Sequence, residues 1–241
     1  MGDLTYEEQK LCEAAKLYVK THAYEIVERF AGTIKIAKIP VSIFTAGSPG
    51  AGKTEFANKL IADLKDFDEI IHIDADEIRK LFPGYVGTNS HIFQSAASTG
   101  VNKIFDHAID TKKSCLLDGT FAYVGQSRSN VERSLNHDRA VLITYIYQDP
   151  VRAWEFTKKR EVVEGRRVSK EKFIEQFFAA PLAIADIKNE FGDRVRLWVV
   201  THDYDKKIRN IKFNASIDDL PEITYSKKEL ESLLKYDAKN T

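Results

Sequence analysis

The sequence predicts an α/β fold: a parallel sheet with helices on both faces and extra helices toward its N- and C-terminal ends. Short β-rich runs alternate with stretches of helical periodicity along most of the chain. Successive parallel strands need a crossover, and a helix is what carries the chain back. Composition permits the core such a fold requires, with 43% hydrophobic and 30% charged residues in a chain of 241. No Ser/Gly-rich linker or internal repeat divides the chain, so one domain is expected, with leading helices over 1–39, a core over 40–202 and a C-terminal extension over 203–241.

Apolar residues recur at helical spacing from Tyr6 to Phe30 (Leu11, Ala14, Ala15, Tyr18, Val19, Ile26, Val27), and Gly32 follows as a stop. This segment reads as one or two helices covering an open sheet; the other reading is a docking surface. After Pro40, the run from Val41 to Ala46 is a strand that ends in glycines, and Phe56, Leu60, Ile61 and Leu64 mark the helix behind it. The unit then repeats in kind. Strands are expected over Glu69 to Asp74, Ser114 to Asp118, Ala140 to Gln148 and Val195 to Thr201, with helices from Asp76, from Ser95 to Ala108, near Ser129 and after Pro150. The stretch from Asp203 to Leu220 is polar and irregular, and a last helix is expected from Ser226 to Tyr236.

Charge and cysteine content exclude several classes. Lys plus Arg number 36 and Asp plus Glu 36, so there is no global electrostatic drive toward nucleic acid or an anionic membrane. Cys12 and Cys115 are too few for a disulfide framework or a Cys-based zinc site and read as small apolar fillers in a reducing compartment. No apolar run approaches the ~20 residues of a membrane span, and the N-terminus lacks the basic and apolar regions of a signal peptide. A cytoplasmic protein is expected.

Directly after the first strand stands Gly47-Ser48-Pro49-Gly50-Ala51-Gly52-Lys53-Thr54, which satisfies G-x-x-x-x-G-K-[ST] between a strand and a helix. Glycines let successive N–H groups point inward, and the helix N-terminus adds partial positive charge, so the loop is an anion cradle. The fold class sharpens to a P-loop NTPase-like sheet that binds ATP. Lys53 is placed to reach the β- and γ-phosphates, and the Thr54 hydroxyl to ligate Mg²⁺.

What happens to the γ-phosphate depends on the acids at the same sheet edge, where open α/β folds bind ligands. The second strand closes on Asp74-Ala75-Asp76-Glu77-Ile78-Arg79. Asp76 is the candidate base, accepting the proton of an attacking hydroxyl, whereas Asp74 is as well suited to capping the next helix. The third strand ends Leu116-Leu117-Asp118-Gly119-Thr120, placing Asp118 where a Walker B acid supports Mg²⁺. Over 151–172, eight basic residues (Arg152, Lys158, Lys159, Arg160, Arg166, Arg167, Lys170, Lys172) face four acids (Glu155, Glu161, Glu164, Glu171), a local excess of four positive charges in a neutral chain. A solvated helix face would explain such a segment by itself. Behind the fourth strand of a phosphate-loop protein, its arginines instead read as a clamp on a transferring phosphoryl group, with Gly165 as a hinge beside Arg166.

With these residues in place, the chain resembles a zeta-toxin-type P-loop kinase from about Thr45 to Arg167. The likeness rests on the loop Gly47 to Thr54, the Asp74 to Arg79 stretch, Asp118-Gly119-Thr120, Asp149-Pro150-x-x-Ala153-Trp154 and Gly165-Arg166-Arg167-Val168. The resemblance implies ATP- and Mg²⁺-dependent phosphorylation of a hydroxyl on a nucleotide sugar, typically UDP-N-acetylglucosamine, with Asp76 at the family's base. It implies that Arg160 and Arg166 contact the γ-phosphate, that Asp118, Thr120 and Asn102 lie on the substrate side, and that an antitoxin protein is a partner. Two departures fall on the acceptor side. Phe121-Ala122 follows Thr120 where better-known members carry an arginine, and Asn102 stands near an expected glutamate. The competing readings are a P-loop NTPase or a polynucleotide or nucleoside kinase with a different acceptor, and a non-catalytic nucleotide-binding module.

Overall fold

The computed structural model describes residues 4–203 and 208–234. Its sheet is built from β1 (Val41–Ala46), β2 (Ile70–Asp74), β3 (Ser114–Asp118), β4 (Ala140–Tyr147), β5 (Val195–Asp203) and β6 (Ile208–Lys212), in the order β2-β3-β1-β4-β5-β6. The first five strands are parallel, as the alternating pattern predicts. The sixth is not: β6 pairs antiparallel with β5. Its polarity masked it, because an edge strand needs only one apolar face; Ile211 packs toward Val200, Phe56 and Ile146.

Nine helices are present among the described residues: α1 (Tyr6–Thr21), α2 (Ala23–Ala31), α3 (Lys53–Leu64), α4 (Ala75–Arg79), α5 (Gln94–Asp110), α6 (Val124–Leu135), α7 (Pro150–Glu164), α8 (Lys170–Phe191) and α9 (Lys227–Leu233). Side chains along β1 alternate between faces. Ile43 joins Ala57 and Leu60 on the α3 side, while Phe44 meets Phe105 of α5 on the other. That second face is covered by α5, α6 and α8, and α1 and α2 form a further layer packed mainly on α5, with α2 also meeting the sheet at β2. Tyr18 sets its edge against Phe82, which stacks on Phe93, so the leading helices also grip the connection between α4 and α5. Cys115 is buried and Cys12 packs against the same core.

The chain between Pro150 and Phe191, read as one helix after Pro150, is two. Asp149 accepts the N–H groups of Val151 (3.0 Å) and Arg152 (3.2 Å), Pro150 opens α7, and Gly165 closes it in the left-handed conformation with φ 73°. Ser169 then caps α8 by accepting from Lys172 N–H at 3.2 Å. The Tyr225 phenol donates to the other Asp149 oxygen at 2.7 Å, and Leu230 and Leu234 pack with Trp154, Phe173 and Phe177. The last helix ends at Leu233, and Tyr236 lies outside the described residues. No helix among the described residues is long and apolar enough to cross a membrane.

At the amino edge of the sheet, just before β4, Arg139 is buried with 3% exposure. Its Nε donates to Ser42 Oγ (2.7 Å), Nη1 to the Ala108 carbonyl (3.0 Å), and Nη2 to the carbonyls of Val41 (3.1 Å) and Lys113 (2.7 Å). One guanidinium thus ties β1, the start of β3 and the end of α5 together.

Candidate active site

The loop Gly47 to Thr54 leaves the carboxyl end of β1 and runs into the first turn of α3. Its backbone is pressed between neighbours. A Cβ on Gly47 would sit 2.2 Å from the Ile146 carbonyl oxygen and one on Gly50 2.0 Å from that of Ala153, so no side chain is tolerated at either position. Ser48 and Ala51 are buried, Pro49 is half-buried, and Gly52 caps α3 in the left-handed conformation. Gly47 N–H donates to the Thr120 carbonyl at 3.1 Å, so Thr120 meets the loop through its backbone. Lys53 Nζ folds over the loop to donate to the Ser48 carbonyl at 2.7 Å. Burial pushes the pKa of this amine down to about 8; Asp118 pulls it up, and Arg166 and Arg160 press it lower. An amine whose charge is disfavoured both by desolvation and by two nearby arginines is a site that an anionic group would stabilise.

Asp118 closes β3 next to the loop. Its Oδ2 accepts from the Thr54 hydroxyl at 2.7 Å and its Oδ1 from the Thr45 hydroxyl at 2.8 Å. Burial opposes the charge, but His72, Lys53 and the two hydroxyls outweigh it and hold the carboxyl below its usual range. His72 Nε2 lies 3.7 Å from Oδ2. Burial opposes protonation of this imidazole, yet Asp118, Asp74 and Glu77 together raise its pKa. A hydroxyl and an ionised carboxylate, both oxygen donors already in contact, suit Mg²⁺.

At the end of β2 the two acids take different parts. Asp74 caps α4, accepting Asp76 N–H at 2.8 Å, and burial followed by repulsion from Asp76 and Asp118 pushes its pKa up to about 6. Asp76 is the centre of an arginine cluster. Its Oδ1 accepts from Arg79 Nη1, and its Oδ2 from Arg166 Nη1 and, at 3.3 Å, from Arg160 Nη2. Arg160 also donates from Nε to Glu164 at 2.7 Å. The basic segment therefore delivers to Asp76 the two arginines singled out from the sequence.

Three residues of this site were not singled out. Arg79 carries the signal of lying one helical turn after Asp76, His72 that of facing Asp74 two residues along a strand, and Gln94 carries none, since its contact with Arg79 depends on tertiary packing. Asn102 sits half-buried on α5, two turns beyond Gln94, and among the described residues the hydrogen bonds of the Asp76 cluster do not reach it. Phe121 adopts φ 59° and turns its ring into the core against Phe44, 5.8 Å between centroids.

A loop lysine and threonine set against a strand-end acid are the working parts of a P-loop phosphotransferase. The match extends well beyond them: residues 27–213 fit the family model for zeta toxin, and the chain belongs to the zeta-toxin family of P-loop kinases. No curated protein matches it. Among solved structures, it is similar to a chain of the PezAT chromosomal toxin–antitoxin system of Streptococcus pneumoniae, with 16% identity, a TM-score of 0.63 and coverage of 97% of this chain and 96% of that one. It is also similar to the AvrRxo1-ORF1:AvrRxo1-ORF2 complex solved with sulfate ions (15% identity, TM-score 0.59, 87% of this chain and 68% of that) and with ATP (16%, 0.58, 85% and 64%). At these identities the structural likeness establishes the fold.

Proposed function

We propose that this protein transfers the γ-phosphoryl group of ATP to a hydroxyl of a nucleotide sugar such as UDP-N-acetylglucosamine. The observation that carries the reading is the convergence of Arg160 and Arg166 on Asp76, beside a loop lysine that feels both arginines. In this scheme the loop of Gly47, Ser48, Pro49, Gly50, Ala51 and Gly52 wraps the phosphates, and Lys53 lies on the β- and γ-phosphates. The N–H groups that face the phosphates come from residues other than Pro49, which has none, and Gly47, whose N–H is held by the Thr120 carbonyl. Thr54 and Asp118 would hold Mg²⁺, which when bound offsets phosphate charge and orients the β- and γ-oxygens. Asp76 takes the proton from the attacking hydroxyl as its oxygen bonds to the γ-phosphorus and ADP leaves. Arg160 and Arg166 move from the carboxylate to the charge that spreads over the transferred group.

Asp118, Thr120 and Asn102 make up the proposed acceptor side. Phe121 favours a second acceptor class, because a ring buried in the core brings no positive charge to a diphosphate there; a nucleoside-like alcohol fits that turn equally well. An antitoxin partner is proposed from the family and from the two-component systems that its structural relatives represent. We place the whole chain in one kinase domain acting in the cytoplasm. Purified protein incubated with labelled ATP, Mg²⁺ and a panel of UDP-sugars and nucleosides tests the reading. Label in a sugar nucleotide or nucleoside supports a kinase and names its acceptor class; label released only as inorganic phosphate sinks it in favour of an NTPase.

A further inference from the structure

The two oxygens of Asp76 have different owners. Oδ2 is held by Arg160 and Arg166, which come from the end of α7 and the segment after it and are themselves partly exposed, with side-chain exposures of 40% and 30%. Oδ1 is held by Arg79, which is 2% exposed and lies one turn along the same short helix. Arg79 is held in turn: Nη2 donates to Gln94 Oε1 at 2.5 Å, at the first turn of α5, and Gln94 Nε2 reaches Ser98 Oγ at 3.3 Å. The guanidinium therefore bridges the helix that carries the acid and the helix that follows it on the acceptor side.

As a source of stability the bridge is poor. A buried ion pair gives up more in desolvation than it returns unless every donor is matched, and Arg79 Nε is buried with no hydrogen-bond partner among the described residues. As a means of orienting a carboxylate it is well made, since the planar fork fixes the direction of both bonds it forms. Resting on the proposal that Asp76 is the base, we infer that Arg79, buttressed by Gln94, is its positioning residue. It keeps Oδ1 occupied throughout turnover and leaves Oδ2 as the proton-accepting oxygen once phosphate draws Arg160 and Arg166 away. No atom is exchanged with Arg79; the proton passes from the acceptor hydroxyl to Oδ2, and the electron pair of that O–H bond goes to the new O–P bond.

The groups facing Asp76 are Arg79 and Asp74 from its own helix and cap, Arg160 and Arg166 from beyond β4, and Tyr85 from the connection to α5. ADP formation is followed with UDP-N-acetylglucosamine as acceptor, or with water as acceptor where that sugar is not consumed. Arg79→Met and Gln94→Leu are expected to lower kcat by about 10–10²-fold with the KM for ATP unchanged, the usual scale for a group that orients another. Gln94 is exposed at a helix start, so its variant keeps the test open if Arg79→Met fails to fold. Wild-type kcat in these variants, or a fall in kcat matched by a rise in KM, overturns the inference while leaving Asp76 as base. Wild-type turnover in Asp76→Asn removes the base itself and the inference with it.

Discussion

Buried arginines stand at both ends of this sheet, and they are held in opposite ways. At the amino edge, Arg139 is satisfied by a hydroxyl and three backbone carbonyls from three elements, all neutral and none able to move without the fold. At the carboxyl edge, Arg79, Arg160 and Arg166 share one carboxylate, and two of them arrive from a half-exposed segment next to a glycine. An arginine spread over neutral acceptors is a staple. Arginines gathered on a single charge can be traded to another anion, because the carboxylate and a phosphate oxygen compete for the same donors.

The contrast makes predictions at both ends. The largest effect is expected for Asp76→Asn, which keeps the shape of the carboxyl edge but removes its base: turnover falls by about 10²–10⁴-fold while ATP affinity, read by calorimetry, holds. Arg166→Ala is expected to lower turnover by about 10²–10³-fold, the scale for losing one preorganised donor, without lowering the urea midpoint. Arg139→Met reverses that pattern. It strands buried carbonyls and is expected to cost about 1–3 kcal/mol in urea unfolding, with kcat per folded molecule unchanged; a loss of kcat there would erase the distinction between the two ends.

The smallest effect is expected at Asp74. Its pKa is raised to about 6, so the folded state favours the protonated acid. That stabilisation is complete below the unfolded value near 4 and is lost as pH rises through about 6. Asn caps a helix as well as Asp does, so Asp74→Asn is expected to match the wild type near pH 4 and to exceed it by on the order of 1 kcal/mol at pH 7.5, measured by urea unfolding in EDTA. A constant difference across that range would mean that Asp74 is not strained by its charge.

Much of the carboxyl edge was legible because local chemistry repeats there. The phosphate loop is a contiguous string whose glycines are demanded by the carbonyls of Ile146 and Ala153, and Asp118 follows an apolar strand at the expected register beside Asp74. The basic segment was legible as an excess of charge, and within it Arg160 and Arg166 were marked by the resemblance to the zeta-toxin family. Arg139 was not, because its acceptors are mostly backbone carbonyls, which every residue possesses and no pattern marks. Gln94 was missed for a related reason, its partner being fifteen residues away across an irregular connection. β6 escaped because one inward residue, Ile211, is too little to register as alternation.

The bond from the Tyr225 phenol to Asp149 reaches further than its position suggests. Asp149 starts α7, and the fifteen residues of that helix run to the glycine beside Arg166, a span of about 22 Å. Cleaving the chain ahead of Tyr225, or lengthening the segment that presents it, would loosen the root of the lever whose tip carries the phosphate-seeking guanidinium groups. A protease that trims this protein from behind would then silence it without cutting its phosphate loop.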